Sequence, residues 1–188
     1  MLIKKFKLLK KKSILCKKKT KKVSKKKRKT KSRIQRGGNG ESLTISYNEK
    51  SIVNGSNISD SIDYSKAPQI IINNSDINKT YLITMTDPDA PNGLENKLGN
   101  FTYTHLVFTR NGNDNNTYNE IVPYAPPSPP RGTHKYQFNL YDVSQINTDG
   151  LKVNNKLDRT KYFITTLQLF IKNNLIKLLF QFQFIVKK

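Results

Sequence analysis

The chain has 188 residues, with 34 Lys or Arg against 13 Asp or Glu and a formal charge of +21. Residues 1–36 hold 19 of the basic side chains and no acidic one, so the rest of the chain carries only +2 and is not a uniformly basic nucleic-acid-binding domain. The single cysteine, Cys16, excludes an intramolecular disulfide, and no apolar run approaches the ~20 residues of a membrane-spanning helix.

Residues 1–40 read as a disordered basic arm, because dense lysines repel one another and little there can be buried to offset the entropy of ordering. Three readings of the arm stay open: a solvated polyanion-contacting tail (nucleic acid), a nuclear-import signal at Lys25–Arg28, and attachment to anionic membrane through Leu2, Ile3, Phe6, Leu8 and Leu9. The start breaks its apolar residues with lysine and lacks the continuous core of a signal peptide, so a soluble, intracellular, non-secreted protein is expected, cytoplasmic or nuclear.

A domain is expected over 41–188. Ser42–Tyr47 alternates with period two and predicts a strand; Pro68–Ile72 predicts a short β-branched one, and Tyr81–Thr86 a third that ends at Asp87. Another lies within 99–109, with Tyr103, His105 and Val107 on one face and Leu106 and Phe108 on the other. A proline-stiffened loop from Tyr124 leads through Gly132 and His134 into a strand over Lys135–Asp142 that places Tyr136, Phe138 and Leu140 on one face. Asp158 suits an N-cap for a helix reaching about Asn173, where Asn173-Asn174 supplies the stop. Phe180, Phe182, Phe184 and Val186 alternate in a last strand. Many short strands and one late helix predict a mainly β fold, an antiparallel β-sandwich with a peripheral C-terminal helix.

Taken singly, the polar residues of interest have bland readings. His105 suits a half-buried, hydrogen-bonded position, and Asp87 and Asp89 suit turn residues. His134 stands out more, since binding groups gather where a loop enters a strand. Asp87-Pro88-Asp89-Ala90-Pro91, then His105-Leu106-Val107, then Pro127-Ser128-Pro129-Pro130-Arg131-Gly132-Thr133-His134-Lys135-Tyr136 together resemble the phosphatidylethanolamine-binding protein family. The resemblance covers about 41–188, and it departs from the family pattern at Lys135, where the family has arginine. Lysine lacks the planar fork that grips a carboxylate at two points.

The resemblance implies a small pocket for phosphate-like anions and phospholipid head groups. It also implies that Asp87, His105 and His134 line the pocket, with Tyr136 and the Pro129-Pro130 turn as walls and Asp89 behind. Two imidazoles could donate to phosphate oxygens, while Asp87 would orient an imidazole, receive a head-group ammonium or exclude a second negative charge. Partners implied are a phosphate-containing small ligand or head group and a kinase or protease under modulation, with the chain a monomer. No cofactor or metal is expected. The chain offers no His-x-x-x-His pair, no Gly-x-Ser-x-Gly elbow and no cysteine outside the arm, so the expected function is non-enzymatic. A hydrolase using the His/Asp pocket and polyanion binding through the arm are the alternatives.

Overall fold

A computed structural model describes residues 40–58, 62–114, 116–152 and 157–188. The readings of the basic arm lie outside these residues. The chain forms a three-stranded sheet facing a six-stranded one. The small sheet is ordered β2-β1-β4, from β1 (Ser42–Tyr47), β2 (Lys50–Ser51) and β4 (Gln69–Asn73). The large sheet is ordered β3-β9-β8-β5-β6-β7, from β3 (Asn57–Ile58), β5 (Thr80–Ala90), β6 (Phe101–Asn111), β7 (Asn119–Val122), β8 (Thr133–Asp142) and β9 (Lys177–Lys187). Every pairing is antiparallel except β3 with β9. This is the antiparallel sandwich that the alternating pattern predicts, with three further strands of two to four residues that carry no pattern of their own.

Period two explains the core. Leu43, Ile45 and Tyr47 of β1 meet Ile83, Met85, Phe138, Leu140, Phe182 and Phe184 of the large sheet, all at most 5% exposed. The opposite face of that sheet presents Leu82, Val107, Tyr141 and Val122. Leu151, Tyr162, Leu167 and Ile176 from the C-terminal segment cover them.

That segment departs from a regular helix. Asp158 accepts hydrogen bonds from the backbone N–H and hydroxyl of Thr160, as a cap would, but the chain then forms a π-helical stretch, Phe163–Leu167, before the α-helix α1 (Gln168–Lys172). Ile164, Thr165 and Thr166 are three consecutive β-branched residues, which crowd the preceding turn of an α-helix. Among the described residues no helix is long and apolar enough to cross a membrane.

Candidate functional site

The β5–β6 ladder breaks twice at one end of the sandwich, and the site lies there. Met85 pairs with Leu106 and Thr86 with Thr104, which leaves His105 as the extra residue of a β-bulge. Further along, Asp87 pairs with Tyr103 and Ala90 with Phe101, so Pro88 and Asp89 bow out of the ladder. Proline has no N–H to offer a partner strand, which fits its place at the break.

The first bulge corrects the strand-face expectation. Tyr103 and His105 do meet, with ring centroids 4.8 Å apart, but Val107 packs on the opposite side of the sheet, while Leu106 and Phe108 share the sandwich core. The extra residue re-aims His105 toward that core, where it meets the Tyr136 ring edge-on at 5.2 Å. Tyr136 in turn stacks on Phe184 at 5.4 Å.

A cavity of about 300 Å³ opens beside these rings. Asp87, His105, Pro130 and Tyr136, all expected from the sequence, line it. Ala90, Pro91, Phe101, Tyr103, Pro126 and Ser128 complete the wall. Pro129 is half-buried in the same loop but is not a lining residue. His134 and Asp89 stand behind the wall. His134 is fully buried; its Nδ1 is 2.6 Å from Asp87 Oδ2 and its Nε2 is 3.0 Å from the Arg131 carbonyl. A carbonyl only accepts, so Nε2–H donates to it, while Nδ1 and the Asp87 carboxyl share a hydrogen bond. Burial pushes the Asp87 carboxyl up, against the opposing pull of His134.

Asp89 has a positioning role. Its backbone N–H donates to Asp87 Oδ1 at 2.9 Å, and its Oδ2 accepts the Lys135 backbone N–H at 3.1 Å, locking the Asp-Pro-Asp segment to the start of β8. At His105, Nδ1–H donates to the Ala125 carbonyl at 2.8 Å. Burial, helped by the nearby Arg159 charge, pushes the His105 pKa down to about 4. The imidazole is therefore neutral near pH 7 and its Nε2 carries a lone pair.

Two positioning residues escape a reading by motif. Arg159, from the segment before the helix, donates through Nη1 to the carbonyls of Thr104 (3.1 Å) and His105 (3.2 Å), which clamps the bulge. Glu95 accepts the Thr133 backbone N–H at 3.0 Å and joins the two loops that flank the cavity. Neither sits in a recognisable local pattern. Their partners are tens of residues away in sequence, so only the fold discloses them.

A larger cleft of about 540 Å³ lies elsewhere, among Thr80, Arg110, Tyr118 and Ser144, and contains none of the sequence-predicted site residues. Among the described residues no group of three or more His, Cys, Asp or Glu side chains is arranged to hold a metal ion.

The family model for phosphatidylethanolamine-binding protein matches residues 34–180. The chain belongs to that family. Among curated relatives, Protein MOTHER of FT and TFL1 homolog 2 of Oryza sativa subsp. japonica is 32% identical over 58% of this chain and 62% of its own length. Protein FLOWERING LOCUS T of Arabidopsis thaliana is 31% identical over 53% of this chain and 56% of its own. The chain thus spans about three fifths of the curated relatives it matches. Among solved structures, the phosphatidylethanolamine-binding protein of Plasmodium vivax superposes with a TM-score of 0.63 at 19% identity, covering 79% of this chain and 85% of that one. A carboxypeptidase Y inhibitor, solved in complex with its cognate proteinase, gives 0.57 at 21% identity over 78% and 82%. At these identities the superpositions establish the fold.

Proposed function

We propose that this chain is a non-enzymatic binding module whose cavity takes a small phosphate-containing ligand or a phospholipid head group. The observation that carries the reading is the cavity itself: about 300 Å³, walled mostly by aromatic and proline side chains, with Asp87, His105 and Ser128 among its few polar points. Small apolar cavities with a few convergent polar groups are the usual form of a ligand site. Against an enzyme, both imidazoles are engaged with acceptors, Ala125 O for His105 and Asp87 with Arg131 O for His134. Neither is hydrogen-bonded to a hydroxyl or thiol that it could activate among the described residues. Likeness in fold to the carboxypeptidase Y inhibitor, solved with its proteinase, extends the reading to modulation of a protease.

The chain has only two histidines, so imidazole NMR reads the site directly. Titration of the full chain with inorganic phosphate, phosphoethanolamine and a phosphoserine peptide is expected to move the His105 resonances saturably with at least one of them. Silence from all three, in a protein that is folded, sinks the reading. Polyanion contact by the arm is a separate reading that rests on its 19 basic side chains. Its signature would be steep salt dependence that disappears on deleting residues 1–36.

A further inference from the structure

The loop over residues 92–100, between β5 and β6, carries the most exposed large apolar side chain among the described residues. Leu98, at its tip, is 87% exposed. It adds nothing to the core, yet the loop holds it firmly. Asn92 Nδ2 donates to the Leu98 carbonyl at 3.0 Å, the Leu98 N–H to Asn96 Oδ1 at 3.3 Å, and Asn100 Nδ2 to the Gly93 carbonyl at 3.0 Å. The Leu94 N–H donates to Thr133 O at 2.7 Å and Glu95 accepts the Thr133 N–H at 3.0 Å, which fixes the base of the loop to β8. The apolar tip is thus preorganised, and little chain entropy is left to lose when it meets a partner. Its surroundings are cationic. Lys97 precedes it, Arg131 is held by the Asn92 side chain, and Lys187 pairs with Thr133 across β8 and β9. All three cations are exposed. Glu95, the one acid of the loop, is spent on Thr133.

A protein interface of ordinary size needs several clustered apolar anchors, and this tip offers one, between the polar Asn96 and Asn100. A bilayer needs no such cluster. One apolar side chain enters the head-group region while flanking Lys and Arg face lipid phosphates, each adding to the attraction. A single weak insertion holds a protein on a membrane only together with a second signal such as a polybasic segment. Residues 1–36 supply one, with 19 basic side chains. We infer that the 92–100 loop docks on anionic lipid surfaces: Leu98 enters the head-group region, and Lys97, Arg131 and Lys187 face the lipid phosphates. Docking of this tip does not depend on what the cavity holds, and it differs from attachment through the apolar residues of the arm.

The chain contains no tryptophan, so one introduced indole reports its own surroundings. Leu98→Trp is compared with Ile77→Trp, each in the full chain; Ile77 is 69% exposed and precedes β5, at the end of that strand opposite to the loop. With vesicles of mixed phosphatidylcholine and phosphatidylglycerol, emission from position 98 is expected to shift to the blue and to be quenched by brominated acyl chains, with neither change at position 77. Leu98→Asn should bind the same vesicles roughly tenfold more weakly at raised salt, where the attraction of the arm is screened, with its Tm unchanged. Vesicle binding that leaves emission at position 98 unmoved assigns attachment to the arm alone and overturns the inference. A shift at both positions marks unspecific adsorption and overturns it too, as does unchanged affinity of Leu98→Asn or an absence of vesicle binding by folded protein. Silence of His105 toward soluble ligands bears on the cavity and not on this result.

Discussion

His134 Nδ1 lies 2.6 Å from Asp87 Oδ2, and the two side chains are 0% and 4% exposed. A pair this buried gains little over an apolar pair of the same shape, because desolvation consumes most of the attraction, but removing one member strands the other. His134→Ala should therefore cost about 3–5 kcal/mol in urea-denaturation stability. A loss below ~1 kcal/mol would mean that the pair is solvated and that the wall behind the cavity is softer than the geometry indicates.

His105 sets an acid limit on stability. In the unfolded chain it takes up a proton below about pH 6.5; in the folded chain it does so only near pH 4. Between those values the unfolded state holds the extra proton, so stability falls as pH falls. The contribution is at most about 3 kcal/mol across the window. Asp87 works against it, since its raised pKa means the folded state holds that proton more tightly. His105→Gln should flatten the fall in Tm between pH 6.5 and 4, whatever it does to Tm at pH 7. An unchanged slope would place the acid sensitivity elsewhere.

Ser42–Tyr47 and Phe180–Val186 were legible because each buries one face: their alternation reappears as alternating burial in β1 and β9. Lys50–Ser51 and Asn57–Ile58 were not, since their pairing is imposed by β1 and β9 and not by any period of two residues. At the site, the motifs named Asp87, His105, Pro130 and Tyr136, which line the cavity, and equally His134 and Asp89, which stand behind it. Motif spacing does not encode which side of a wall a side chain occupies. Nor does it encode the bulge at His105, which exists only through the register of β6 on β5.

The clasp between the two cavity loops depends on space beside Gly93. A Cβ there would come within 2.7 Å of Glu95 Oε2 and 3.0 Å of Thr133 N, and the residue holds φ +80°. Gly93→Ala should thus cost about 1–3 kcal/mol from backbone conformation alone, with added loss as Glu95 is displaced. Hydrogen bonds from the Thr133 hydroxyl and N–H hold the Glu95 carboxyl down to about 2, so the clasp survives mild acid. Glu95→Gln should speed hydrogen exchange of the Thr133 amide roughly tenfold while leaving the core amides unchanged. Equal exchange in both proteins would show that Leu94 N–H, which donates to Thr133 O at 2.7 Å, suffices to join the loops.

Arg159 ties the C-terminal segment to the cavity by two routes that one pair of substitutions separates. Its Nη1 reaches the Thr104 and His105 carbonyls, and its own carbonyl accepts the Thr104 N–H at 2.9 Å. Its charge also lowers the His105 pKa, second to burial among the lowering influences. Arg159→Ala removes both the side-chain bridge and the charge. It should cost about 1–3 kcal/mol, as expected for hydrogen bonds from a charged donor, and raise the His105 midpoint above about 4. Arg159→Lys keeps the charge on a single nitrogen that lacks the guanidinium fork. It should lose part of the stability and leave the His105 midpoint near the wild-type value. The two midpoints, read by imidazole NMR from pH 3 to 8, decide between the routes. A rise in both variants would mean that the bulge itself relaxes and lets water reach His105, and a rise in neither would leave burial, with the smaller influence of His134, as the cause of its low pKa.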